Sequence, residues 1–90
     1  MDLQLNGRRV LITGGSKGIG LATAKAFLDE GASVIITARR EEVLKEAAAA
    51  LNGGQRVSTF AADLSKKEER IRLAAAFPDV DILVNNAGAI

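Results

Sequence analysis

The sequence predicts an α/β fold: a parallel β-sheet with helices packed on its faces, in the order βαβαβαβ. Three observations predict it. Short apolar or β-branched runs recur at four places, and their unbroken centres suit strands buried on both faces of a parallel sheet. Between them lie longer segments whose apolar residues recur at helical spacing. Gly, Asn-Gly-Gly and Pro punctuate the ends of those segments, leaving only short connections. No linker or low-complexity tract breaks the series, so each strand–helix–strand unit can close with the right-handed crossover that parallel strands require.

Arg8 to Thr13 reads as the first strand, centred on Val10-Leu11-Ile12. The first helix runs from Lys17 or Gly18 to Glu30. Ile19, Ala22, Thr23, Ala26 and Phe27 lie along one stripe, Lys25, Asp29 and Glu30 lie off it, and Gly31 stops it. Ser33 to Ala38 is the second strand, with Val34-Ile35-Ile36-Thr37 at its centre. The second helix spans Glu41 to Leu51, acidic at its start, with Val43, Leu44, Ala47, Ala48 and Leu51 inward. Asn52-Gly53-Gly54 ends it, and Arg56 to Ala61 forms the third strand. Ser65-Lys66-Lys67-Glu68 has the spacing of a capping box, so the third helix starts after Ser65 and ends before Pro78. Val80 to Val84 is the fourth strand, followed by Asn85-Asn86-Ala87-Gly88.

The bulk properties narrow the function by exclusion. The chain's 90 residues make one domain at most, and 48% hydrophobic with 26% charged residues is the composition of a globular protein. Twelve basic against eleven acidic side chains leave a net charge of +1, too little to draw the chain to nucleic acid or to a membrane. Any anion must therefore be held by a local site. There is no Cys, hence no disulfide framework and no thiolate metal centre, and no metal site is expected. Met1 to Gly7 has neither the basic segment nor the apolar run of a signal peptide, so a cytoplasmic location is expected. His, Tyr, Cys and Trp are all missing, which removes most of the usual proton donors near neutral pH.

The stretch that carries chemistry is Val10 to Gly20. An apolar strand leads through Thr13 into Gly14, Gly15, Ser16, Lys17, Gly18, Ile19 and Gly20, and then into a helix. This is the order a phosphate-binding βα turn needs. Glycines let the backbone turn sharply and approach a pyrophosphate, and the helix start aims unpaired N–H groups and its positive dipole end at the anion. A P-loop does not fit, because Lys17 precedes Gly18 and no Ser or Thr follows to hold a metal.

Thr13-Gly14-Gly15-Ser16-Lys17-Gly18-Ile19-Gly20 resembles the T-G-x-x-x-G-x-G cofactor motif of the short-chain dehydrogenase/reductase family. Asp63-Leu64 and Asn85-Asn86-Ala87-Gly88 are similar to that family's next two signatures, in order and spacing. The resemblance covers essentially the whole chain. It implies a Rossmann-type three-layer αβα fold, with strand order 3-2-1-4 as the first part of a doubly wound sheet. It implies that Gly14, Gly18 and Gly20 shape the phosphate turn and that the Ile19 backbone meets the pyrophosphate. Asp63 would accept from the adenine amino group beside Leu64. Asn86, Ala87 and Gly88 would line the ribose side of the cleft, while Asn85 helps tie the sheet together.

The cofactor preference follows from charge. A site for NAD places an acid at the end of the second strand, and one for NADP replaces it with Arg. By register with the family the acid position is Ala38; Arg39 follows, and Lys17 sits in the phosphate turn near the same ribose. Two cations and no carboxylate favour NADP(H) over NAD(H), unless Glu41 or Glu42 turns inward.

In the family, hydride transfer between nicotinamide and a carbonyl or alcohol substrate uses a Tyr, a Lys four residues later and a Ser, all beyond position 90 in the family's order. With no Tyr in the sequence, no catalytic residue is assigned here, and these residues alone are expected to be inactive. The expectation is a dinucleotide-binding half whose catalytic and substrate half is absent. Its first two helices would cover one sheet face and its third helix only part of the other. Asp81-Ile82-Leu83-Val84 would form an unprotected edge through which the isolated chain self-associates.

Overall fold

A computed structural model describes residues 5–86. In chain order the elements are β1 (Arg9–Thr13), α1 (Gly18–Asp29), β2 (Ser33–Ala38), α2 (Glu41–Leu51), β3 (Val57–Ala61), α3 (Lys67–Ala76) and β4 (Ile82–Asn85), with one 3-10 turn, Gly54–Arg56, ahead of β3. All four strands run parallel in one sheet ordered β3-β2-β1-β4. That is the parallel α/β sheet the alternating pattern predicts, in the Rossmann-type strand order the resemblance implies, built as far as the fourth strand. Among the described residues no helix is long and apolar enough to cross a membrane.

Strand periodicity divides the sheet into two faces with different covers. Val10 and Ile12 of β1 lie level with Val34 and Ile36 of β2, and all four are buried. They form one core with Ala24 and Leu28 of α1 and Leu44, Ala47 and Leu51 of α2. Full burial of such a side chain is worth roughly 1.5–3 kcal/mol, so this face holds most of the stability. The opposite face carries Leu11, Ile35, Phe60 and Leu83 and is crossed by α3. Phe77, just past α3, meets Phe60 edge-on with ring centroids 5.8 Å apart. Arg72 lies over the Phe60 ring and Arg9 over the Phe77 ring. The cover stops short of β4: Ile35 on β2 is 1% exposed, whereas Leu83 is 62% exposed.

Four expectations are corrected. The buried stripe of α1 is Gly20, Ala24 and Leu28, backed by Leu21 and Phe27, while Ile19, Ala22 and Ala26 face outward. Close approach to the sheet needs small residues at the contact, and that turns the larger Ile19 away. Ser65 is no capping-box serine. Its hydroxyl and its N–H both donate to Asp63 Oδ1, at 2.7 and 3.1 Å, so α3 starts from Lys66 at the N-cap without a side-chain cap. β3 begins at Val57 because Arg56 ends the 3-10 turn, and its Nη1 donates to the carbonyls of Leu28 and Ala32 at 2.9 and 3.1 Å. β4 begins at Ile82 rather than Val80, since the Asp81 carboxylate accepts the Arg9 N–H at 2.9 Å where a strand carbonyl would otherwise stand.

Candidate nucleotide-binding site

β1 ends at Thr13, and Gly14 carries the chain out of the sheet at φ +69°. Its N–H still donates to the Thr37 carbonyl at 3.1 Å, so the turn stays stitched to β2. Gly18 opens α1 at φ +61°, the left-handed region that side chains avoid. The other two glycines are needed for space. A Cβ on Gly15 would lie 2.7 Å from Ile36 Cγ2, and one on Gly20 would lie 2.4 Å from the Gly14 carbonyl oxygen. Loop and helix start are therefore folded tightly against each other.

Lys17 occupies the N-cap in an extended conformation and has no acceptor in its side chain. The first α1 bond runs from the Leu21 N–H to the Lys17 carbonyl at 3.4 Å. The amides of Gly18, Ile19 and Gly20 thus form the open N-terminus of a twelve-residue helix, whose first turn carries no acidic residue. Ile19 is 77% exposed, so its side chain takes no part in the core. Turn and helix start form a main-chain cradle, a geometry that suits anions in general.

The end of β4 closes the cradle from the other side. Thr13 Oγ1 donates toward Asn85 Oδ1 at 3.0 Å and accepts the Asn86 N–H at the same distance. Asn86 Nδ2 reaches the Gly14 carbonyl at 3.5 Å and lies where a Cβ on Gly20 would intrude. Asn85 thus joins β4 to β1, and Asn86 packs on the glycine turn. Ala87 and Gly88 lie outside the described residues.

Past β2, the chain brings Arg39 and Lys17 to one cavity of about 600 Å³. Its walls are Ser16, Lys17 and Leu21 on the α1 side, the segment Ala38 to Arg40 at the end of β2, and the α2 residues Val43, Glu46, Ala47 and Ala50. Glu42 does not enter it; its carboxylate pairs with Arg40 Nε at 2.9 Å, and Glu41 is exposed. Lys17 and Arg39 form no salt bridge among the described residues. The Glu42 carboxyl is held below its ordinary range, chiefly by its own backbone N–H and then by Arg40.

Asp63 stands outside the cavity wall, after β3. The Ser65 hydroxyl, then the Ser65 N–H, lower its pKa below the ordinary Asp value, and the charges of Lys66 and Arg39 act in the same direction. Asp63 is therefore an ionised acceptor near neutral pH, within electrostatic reach of Arg39. The Leu64 carbonyl accepts from Arg70 Nη1 at 2.9 Å. The structure thus gathers Ser16, Lys17 and Arg39 in one cavity and Gly14, Gly15, Gly18, Ile19, Gly20 and Asn86 in the adjoining cradle. Sequence reasoning passed over the bridging role of Thr13, whose signal was a hydroxyl ending an apolar strand. It also passed over Glu46, which shares a helical stripe with Val43, Ala47 and Ala50.

A family model described as short chain dehydrogenase matches residues 8–90. An uncharacterized oxidoreductase, YvrD, of Bacillus subtilis is 50% identical over 98% of the chain, which spans 35% of that protein. The Pseudomonas aeruginosa RhlG/NADP active-site complex superposes with a TM-score of 0.85 at 43% identity, covering 94% of this chain and 35% of that one. L-sorbose reductase from Gluconobacter frateurii, complexed with NADPH and L-sorbose, gives a TM-score of 0.88 at 41% identity over 99% of this chain and 36% of that one. The chain spans about a third of the length of these relatives.

Proposed function

Because the chain belongs to the short-chain dehydrogenase family, we propose that it is the dinucleotide-binding part of an NADP(H)-dependent oxidoreductase that interconverts a carbonyl and an alcohol. The observation that carries this reading is the meeting of Lys17 and Arg39 in one cavity beside Ala38, where an NAD site would carry an acid. Two relatives whose structures hold NADP or NADPH support it. The glycine cradle fits the cofactor, since the space a Cβ would fill at Gly20 is taken by the Gly14 carbonyl and by Asn86, so that only a glycine lets the turn lie this close to the helix start.

When bound, the cofactor supplies the hydride. The chain's own residues hold and orient it. The amides of Gly18, Ile19 and Gly20 receive the pyrophosphate charge at the helix N-terminus. Lys17 and Arg39 receive the 2′-phosphate, Arg39 through paired N–H donors and Lys17 as a point charge. The Asp63 carboxylate accepts from the adenine amino group beside Leu64, and Asn86 lines the ribose side, a role that the resemblance also implies for Ala87 and Gly88. This sequence contains no Tyr, and no proton-transferring residue is assigned within it.

The same cradle and cavity would serve a second reading, a stand-alone dinucleotide-binding module without turnover. Titration with NADPH and NADH, followed by nicotinamide fluorescence, tests the shared part of both. NADPH is expected to bind at least ten times more tightly, about 1.4 kcal/mol. Equal affinities would end the NADP(H) assignment. A Tyr-x-x-x-Lys further along the open reading frame would decide for the oxidoreductase; with a carbonyl panel, both readings expect no loss of nicotinamide absorbance from these residues alone.

A further inference from the structure

The cavity that Lys17 and Arg39 line has one acidic residue in its wall that its proposed ligand does not need. Positions 43, 46, 47 and 50 share one face of α2, and that face lines the cavity. Three of the four are Val43, Ala47 and Ala50; the remaining one is Glu46. Its carboxylate forms no salt bridge among the described residues, unlike Glu42, which is taken up by Arg40. The helical register therefore sets an acidic residue in the same wall as Lys17 and Arg39, with no salt bridge to either.

We propose that Glu46 is a specificity-determining residue: its charge opposes a 2′-phosphate in the Lys17–Arg39 cavity and so limits the preference for NADPH over NADH. This rests on the 2′-phosphate reading of the cavity given above. A charge-to-charge interaction across an open, hydrated space is felt mainly by the ligand that carries the extra phosphate. It is also screened by salt, since the Debye length is about 10 Å at 0.1 M ionic strength.

Affinities for NADPH and NADH, measured for the wild-type protein and for Glu46→Gln and Glu46→Lys, test this. Asp79→Asn serves as the charge control. Asp79 lies in the turn leading into β4, at the opposite rim of the sheet, and changes net charge by the same amount as Glu46→Gln. At low ionic strength Glu46→Gln is expected to tighten NADPH about threefold and Glu46→Lys about tenfold, with NADH nearly unchanged and the gains shrinking as salt is added. Unchanged NADH binding also reports that the variants fold. Equal gains from Asp79→Asn and Glu46→Gln would reduce the effect to net charge and overturn the proposal, as would weaker NADPH binding in Glu46→Gln. A wild-type preference for NADPH that Glu46→Gln leaves untouched overturns the role of Glu46 alone. Equal wild-type affinities for the two cofactors overturn the reading of the cavity and this inference together.

Discussion

Arg39 and Asp63 show how single residues divide the proposed labour. Arg39 lines the cavity wall, and its charge also helps depress the Asp63 pKa. Arg39→Ala is expected to weaken NADPH about tenfold, about 1.4 kcal/mol, with much less effect on NADH. A parallel loss for both cofactors in a fluorescence titration would show that Arg39 does not read the phosphate. Asp63, proposed to contact adenine, makes no such distinction. Asp63→Ala should weaken both cofactors about equally, by the roughly 0.5–1.5 kcal/mol of one hydrogen bond.

The pH dependence of Asp63 has a definite sign. Its carboxyl is lowered from the ordinary 3.8, so the ionised acceptor persists as pH falls through that value and is lost only below it. The stability linked to this depressed group is present above 3.8 and disappears as pH falls through the lower folded value. NADH, which has no 2′-phosphate to titrate, should keep its affinity from pH 8 to about pH 5. Ser65→Ala, which removes the leading cause of the shift, should move the acid limb of that profile upward. An unmoved limb would separate Asp63 from nucleotide binding.

At the scale of elements, α1 carries the two demands that meet at the site. Its N-terminus must stay open, and its first turn must lie against the Gly14 carbonyl. Gly20→Ala would push a methyl into the Gly14 oxygen and the Gly15 Cα, both backbone atoms that cannot swing aside. The expected cost is about 1–3 kcal/mol in denaturant titration, with loss of nucleotide binding. Wild-type stability in this variant would show that the loop relaxes freely.

The same helix shows where the sequence was legible and where it was not. Its existence and its limits follow from Gly18 and Gly31, because those positions control local backbone geometry. Its buried face did not follow, because the choice between Ile19 and Ala24 depends on how near the sheet lies, and periodicity carries no distances. α2 was readable throughout, since Leu44, Ala47 and Leu51 are both periodic and large enough to mark the core. Ser65 misled for a different reason. The box spacing was present, but Asp63, two residues earlier, competes for the same hydroxyl and N–H. At the site, Lys17 and Arg39 could be linked only through register with a family, as nothing local in the chain relates the β1–α1 turn to the end of β2.

For the whole molecule the two sheet faces set the behaviour in solution. One face is sealed by α1 and α2, while the other leaves Leu83 exposed on β4, and Ile71 of α3 is exposed as well. β4 pairs only with β1 among the described strands, so the N–H and C=O groups of its outer edge face away from the sheet. The isolated chain is therefore expected to self-associate through this edge. Light scattering should give a mass above the 9.4 kDa of one chain, and Leu83→Lys should lower it toward that value. A monomer at all concentrations, unfolding cooperatively, would contradict this.

Thr13 ties these scales together. Its one hydroxyl clasps Asn85 on β4 while accepting the main chain of Asn86 beside the glycine turn. A nucleotide that steadies the turn must then also steady the outermost strand, by the same free energy with which an ordered strand readies the turn. On the proposed reading, filling the cradle with phosphate and fastening the margin of the sheet become two halves of one equilibrium, with a threonine as the hinge pin between them.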